Sequence, residues 1–186
     1  LAYLLTYRDR PHTRDLLAGT FWPDLPDDLA RRRLSQALWL IRKSLGSHLQ
    51  LGLEGDSVQL LPDMPLTLDV ADFERLAACP ALDESTLRAW FEAVELYRGD
   101  FLVGYYEDWV LFERERLHEC LLDLLGQLTN ALKARGEYER ALAIARRLAA
   151  EDPWREAAHR EVMRLLHLLD RDAEALRQAE LCCHIL

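Results

Sequence analysis

The sequence predicts a mainly α-helical protein in two parts. Residues 1–68 read as an incomplete winged helix-turn-helix with a β-hairpin wing. Residues 69–186 read as an all-α domain of tetratricopeptide-like helical repeats. Three observations carry this prediction. Asp27 to Leu45 is one long amphipathic stretch with defined ends, two short alternating runs follow it around a glycine-containing turn, and beyond Asp69 the pattern is helical with small residues recurring at a fixed spacing.

Leu1 to Tyr7 reads as the end of a helix entered midway, since Leu1-Ala2-Tyr3-Leu4-Leu5 starts without a capping residue. On that ground the sequence reads as a piece of a longer chain. Arg8-Asp9-Arg10-Pro11-His12 is a polar turn, and Thr13 is suited to cap a short helix over 14–21. Pro23 and Pro26 then break the helical pattern, because proline lacks the N–H that a helix interior needs. The helix 27–45 follows. Asp27 and Asp28 open it and Arg42 and Lys43 close it, the charge order that the helix dipole favours, and Gly46 is placed to stop it. Leu34, Leu38, Ile41 and Leu45 recur at three- and four-residue steps and form one apolar face with Ala30 and Ala37. Leu49 to Leu53 and Ser57 to Leu61 alternate around Glu54-Gly55-Asp56 and read as a β-hairpin. Helix, turn, helix and hairpin in this order are the succession of a winged helix, whose second helix enters the DNA major groove.

Pro62 to Leu68 is a connector. Helices are expected at 70–78, 84–97, 106–135, 137–150, 154–169 and 172–185, separated by turns at Cys79-Pro80, Arg98-Gly99-Asp100, Gly136, Asp152-Pro153 and Asp170. Ala141 and Ala175, Ala145 and Ala179, and Gly136 and Asp170 are each 34 residues apart. That is the tetratricopeptide period, with small residues where paired helices approach closely. Stacked antiparallel helix pairs would explain the spacing.

Half of the 186 residues are hydrophobic and 30% are charged, which fits a globular chain with a sizeable core, and no apolar run reaches membrane-spanning length. Four cysteines without CxxC spacing read as thiols of a reducing compartment, and a cytoplasmic location is expected. The net charge of −9 is unevenly spread: residues 1–69 hold eight Lys and Arg against nine Asp and Glu, and residues 70–186 hold fifteen against twenty-three. The basic residues of the first part gather between Arg31 and Lys43.

At about 100° per residue, the side of helix 27–45 opposite the leucines carries Arg32, Gln36, Trp39 and Lys43, with Arg31, Ser35 and Arg42 on one flank. Arg and Lys bond phosphates or guanine, and Gln bonds adenine, so Arg31, Arg32, Ser35, Gln36, Trp39 and Lys43 are the candidate DNA-binding residues. A solvated basic face is the alternative reading of the same helix. The sequence has no HExxH, GxGxxG, P-loop or GxSxG motif, and its six histidines are scattered. No enzyme activity, cofactor or metal is expected. His159 is expected to pack or face solvent, Glu113 and Glu115 to lie on a solvated charged face, and Trp22, Trp90, Trp109 and Trp154 to anchor the core.

Several stretches together resemble the bacterial antibiotic-regulatory activator family. In the first part they are Phe21-Trp22-Pro23-Asp24, Ala30-Arg31, Leu34-Ser35-Gln36-Ala37-Leu38, Ile41 to Gly46 and Leu68 to Phe73. In the second they are Tyr97 to Leu102, Asp108-Trp109-Val110, Glu113 to Leu117, Asp152 to Glu156, His159-Arg160, Met163 and Ala175-Leu176. The resemblance implies an OmpR-type winged helix, here without the strands that precede its first helix, followed by a bacterial transcriptional activation domain. It also implies sequence-specific binding of double-stranded promoter DNA and help in recruiting RNA polymerase. Two functions are thus expected. In one, helix 27–45 reads promoter DNA and the acidic helical part contacts polymerase or a second copy in a homodimer. In the other, the helical repeats form a protein-interaction module of a larger regulator and the winged helix is a packing platform. Arg32, Gln36 and Lys43 favour the first, and the acidic hairpin tip, Glu54 and Asp56, favours the second.

Overall fold

Capping and breaking residues set the element boundaries of the chain. A computed structural model describes residues 1–46, 51–61, 66–80 and 83–185, without the side chains of Leu53 and Glu54. His48, the first two residues of the expected hairpin, most of the proline connector and the side chain of Glu54 lie outside the described residues. The chain divides into a unit from Leu1 to Thr67 and a unit from Leu68 to Leu186.

In the first unit, α1 (Ala2–Thr6) is followed by β1 (His12–Thr13), α2 (Arg14–Phe21), α3 (Asp27–Leu45), β2 (Leu51–Glu54) and β3 (Ser57–Leu60). Thr13 caps α2: its Oγ1 accepts a hydrogen bond from the Leu16 N–H at 3.2 Å. Gly46 ends α3 at a φ of 54°, the left-handed region that glycine enters without a Cβ clash. β2 and β3 form the hairpin. The sheet has a third strand that the sequence reading missed, since β1 pairs antiparallel with β3, His12 opposite Val58 and Thr13 opposite Ser57. A two-residue strand is too short to show alternation, and the free edge of β3 makes it. Its inward residue, His12, is buried against the Tyr3 ring and donates from Nε2 to the Tyr7 carbonyl at 2.9 Å.

Leu4, Leu17, Ala30, Leu34, Leu38 and Val58 fill the core between α1, α2, α3 and the sheet. Ile41, expected to be buried from the helix periodicity, and Trp22, expected as an aromatic core anchor, are only half-buried. With Leu1, Phe21 and Ala37 they line an apolar groove of about 270 Å³ that is open among the described residues.

The second unit has helices and no strand among its described residues: α4 (Asp69–Ala77), α5 (Glu84–Leu96), α6 (Asp108–Ala134), α7 (Tyr138–Glu151), α8 (Glu156–Leu168) and α9 (Asp172–Ile185). Successive helices pack on one another. Trp90 anchors the core beside Leu121, Leu125 and Leu128, and its Nε1 donates to the Cys79 carbonyl at 3.0 Å. The turns after α6 and α8 close alike. Gly136 has φ 74° and Asp170, 34 residues later, has φ 57°. The N–H of Gly136 bonds the carbonyl of Lys133 and that of Glu137 bonds Leu132. In the same way Asp170 bonds His167 and Arg171 bonds Leu166, at 2.9–3.1 Å. This pair of bonds is the Schellman closure, so the sequence spacing has a backbone counterpart. Ala141 and Ala145 are buried, whereas Ala175 and Ala179, on α9 packed against α8, are half-buried.

Four side chains differ from expectation. Trp154 is 70% exposed rather than a core anchor: its N–H donates to the Asp152 carboxylate at 3.2 Å in the turn before α8, which sends the ring outward. Trp22 and Trp109 are half-buried. Glu113 is buried, not solvated, and pairs with Arg116 at 2.7 Å, while Arg116 also reaches Glu74 on α4 at 2.6 Å. Packing of α4 over α6 supplies the burial, and the guanidinium makes it tolerable for the carboxylate. His159 packs: its Nε2 donates to the Pro153 carbonyl at 2.9 Å and its Nδ1 faces the Gln178 amide at 2.7 Å, which defines the neutral tautomer.

Candidate functional site

Ala30, Leu34 and Leu38 are buried on one side of α3, and this seat determines what the other side shows. Leu29, Arg32, Arg33, Gln36, Trp39, Leu40 and Lys43 are all exposed. The face therefore mixes cations, an amide and apolar groups, and it runs the length of the helix.

The six candidate residues fall into three groups. Among the described residues, Arg32 and Gln36 have no hydrogen-bond or ion-pair partner, so their polar groups are available to a ligand. Trp39 and Lys43, one turn apart, form a pair in which the Lys43 ammonium stands 4.8 Å from the centre of the Trp39 ring. The ring face attracts the cation and holds it over the helix surface. Arg31 and Ser35 instead face α2. Arg31 is ion-paired with Asp15, and that hydrogen-bonded carboxylate pushes the guanidinium pKa further up. Ser35 accepts from Arg14 at 3.2 Å and donates to the Arg31 carbonyl at 2.9 Å. These bonds fix α3 against α2 and leave Arg31 with much of its charge neutralised. Arg42, on the same flank, donates to the Leu51 carbonyl at 2.8 Å and ties α3 to β2.

Sequence reasoning left out Arg33. It is exposed, has no partner among the described residues, and lines an open groove of about 620 Å³ with Trp22, Asp24, Gln36 and Leu40. Its signal was available, since Arg33, Gln36 and Leu40 share one row along the helix. At the hairpin, Asp56 is exposed, and its carbonyl accepts from the Arg14 N–H at 2.9 Å. Among the described residues, no three His, Cys, Asp or Glu side chains are grouped to hold a metal ion, and no helix is long and apolar enough to cross a membrane.

The features define a class: a small mixed unit presenting one basic and aromatic helix face, and a separate stack of antiparallel helices. The family model of the bacterial transcriptional activator domain matches residues 68–186, and the chain belongs to that family. The match starts at the first residue of the helical unit. No curated protein matches the chain.

Proposed function

We propose that the chain is the DNA-binding and activating portion of a transcriptional regulator. In this reading the first unit is an OmpR-type winged helix and α3 enters the major groove of promoter DNA. The helical unit, with tetratricopeptide-like pairing, contacts RNA polymerase or other proteins, a second copy among them. The chain acts in the cytoplasm by binding, without catalysis and without a cofactor. The observation that carries the reading is the row Arg32, Gln36 and Lys43 on the exposed side of a helix whose other side is seated in the core. The family match to an activator domain supports placing that row in a regulator.

Roles follow from position. Arg32 and Gln36 are free to reach base edges, whereas Lys43, near the helix end, suits a phosphate. Selection of bound sequences from random duplex DNA, followed by titration of variants at two salt concentrations, tests this. Arg32→Ala or Gln36→Ala should cost about 1–3 kcal/mol on the selected site and less on random DNA. Lys43→Ala should weaken binding to all sequences and reduce the salt slope by about one unit. If all three variants bind both DNAs like the parent, α3 does not read DNA. A second reading, in which α3 docks a protein, is favoured by Leu29, Trp39 and Leu40, which add apolar surface to the same face. Unaltered DNA binding with loss of a protein contact in Trp39→Ala would select it.

A further inference from the structure

The turn between α5 and α6 displays apolar side chains at a backbone cost. Val103, Tyr105 and Tyr106 are exposed in it, and Leu111 and Phe112 are exposed on the first turns of α6, with Val103 and Tyr106 each 75% exposed. Valine, leucine and phenylalanine are ordinarily buried, and large exposed apolar patches on single chains mark contact sites. Leu102 adopts a φ of 48°, a left-handed conformation that a branched L-residue rarely takes. Strain of this kind persists where surrounding contacts hold it. Arg114 of α6 provides them: its guanidinium donates to the carbonyls of Phe101 (3.0 and 3.1 Å), Leu102 (3.1 Å) and Tyr105 (3.2 Å). One side chain thus fixes the turn in the form that points Val103 and Tyr106 at solvent.

Free carboxylates outnumber free cations around these groups. Glu107, Asp108 and Glu115 are exposed and, among the described residues, have no ion-pair partner. The nearest cations along α6 are engaged, Arg114 with the turn carbonyls and Arg116 with Glu74 and Glu113. Arg98 and Asp100, both exposed, carry opposite charges at the start of the turn, so the three carboxylates set its net sign. The surface is therefore aromatic and acidic. Aromatic faces attract guanidinium and ammonium groups, and unpaired carboxylates beside them complete the recognition of a cation.

We infer that residues 103–112 form a preorganised docking surface for a basic segment of a partner protein, one that carries Arg or Lys beside apolar side chains. The inference rests on the reading of the helical unit as a protein-contact module and does not depend on DNA reading by α3. It places the contact on the α5–α6 turn instead of a concave face of the helix stack.

A random-peptide library displayed on phage and panned on the full chain tests it, with a synthetic peptide of the enriched sequence then titrated. Enriched peptides should combine Arg or Lys with apolar residues and bind more weakly as salt rises. Tyr106→Ser and Phe112→Ser should each weaken binding by about thirtyfold, the effect of truncating a hot-spot aromatic. Both residues are exposed, so circular dichroism should match the parent. Arg114→Ala should weaken binding with every contacting side chain retained. Enrichment without cationic residues, or binding insensitive to Tyr106→Ser and Phe112→Ser, overturns the inference. So does sedimentation showing a parental dimer that these variants abolish, because the occupant is then a second copy. DNA binding should be the same in these variants as in the parent, so failure of the groove-reading proposal registers only in the α3 variants.

Discussion

Gly136→Ala should destabilise the helical unit although the added methyl meets nothing. A Cβ built at Gly136 has no neighbouring atom within 4 Å, so no steric clash with another side chain enters. What enters is the backbone. Gly136 sits at φ 74°, held by the two hydrogen bonds that close α6. An L-residue in the left-handed region costs about 1–2 kcal/mol. Alanine recovers about 0.4–1 kcal/mol by restricting the unfolded chain. The net is a loss of about 1 kcal/mol, which for a helical unit of this size lowers the melting temperature by about 4 °C. Gly136→Asn should lose less, since asparagine tolerates this conformation. Asp170 occupies the equivalent position at φ 57°. Asp170→Gly should therefore stay within about 0.5 kcal/mol of the parent, relief of strain offsetting the freer unfolded chain. Thermal unfolding of the full chain followed by far-ultraviolet circular dichroism reads all three. A Gly136→Ala protein as stable as the parent would show that the turn after α6 is not left-handed, and the equivalence of the two turns would fail with it.

Leu38→Ala should cost about 2–5 kcal/mol, the range for a buried leucine, and half-buried Ile41→Ala should cost clearly less; equal losses in a denaturant titration would mean that the groove beside Ile41 is closed. Glu174 is held down to about 2 by Arg171 and then Arg146. Its unfolded value is near 4.5, so its stabilisation is present above that pH and is lost as the pH falls toward 2. Urea midpoints taken from about pH 5 to about pH 2 should fall less steeply in Glu174→Gln than in the parent, and parallel curves would refute the pairing.

What was legible in the sequence was local. Thr13 and Gly46 determine helix ends through their own backbone or hydroxyl, and α3 has the bounds that its charge order and periodicity gave. The exposed row of α3 was legible because it is the complement of the buried row on one rigid helix. The rest needed partners distant in sequence. β1 exists only because β3 has an edge to offer. Glu113 reads as one charge in an alternating run until α4 brings Glu74 to Arg116 and covers it. Arg31 reads as a free cation until α2 places Asp15 against it. Ile41 reads as core because periodicity reports the side of a helix and not whether anything covers that side, and Trp22 because a large aromatic ring is an ordinary core anchor. The 34-residue spacing was legible, but that Asp170 repeats the left-handed turn of Gly136 was not, since aspartate carries no such signal alone.

The net charge of −9 is a poor guide to what this chain binds, and the side-chain pairing explains why. Most of the arginines in the helical unit are paired with carboxylates: Arg116 with Glu74 and Glu113, Arg146 and Arg171 with Glu174, Arg155 with Asp152. Such pairs cancel at short range, and beyond about 8–10 Å salt screens what remains. A ligand therefore senses the charges left unpaired. Along the length of α3 those are Arg32 and Arg33, with Lys43 held over Trp39, beyond Asp27 and Asp28 of its first turn. At the α5–α6 turn they are Asp100, Glu107, Asp108 and Glu115 against Arg98. The two units thus expose faces of opposite sign, each with aromatic groups interleaved. A polyanion and a basic peptide would be sorted between them by charge alone, and the aromatic groups would add the contact that charge cannot. Under this reading the excess acid in the helical unit does not oppose DNA binding by α3; it selects a different partner for a different surface.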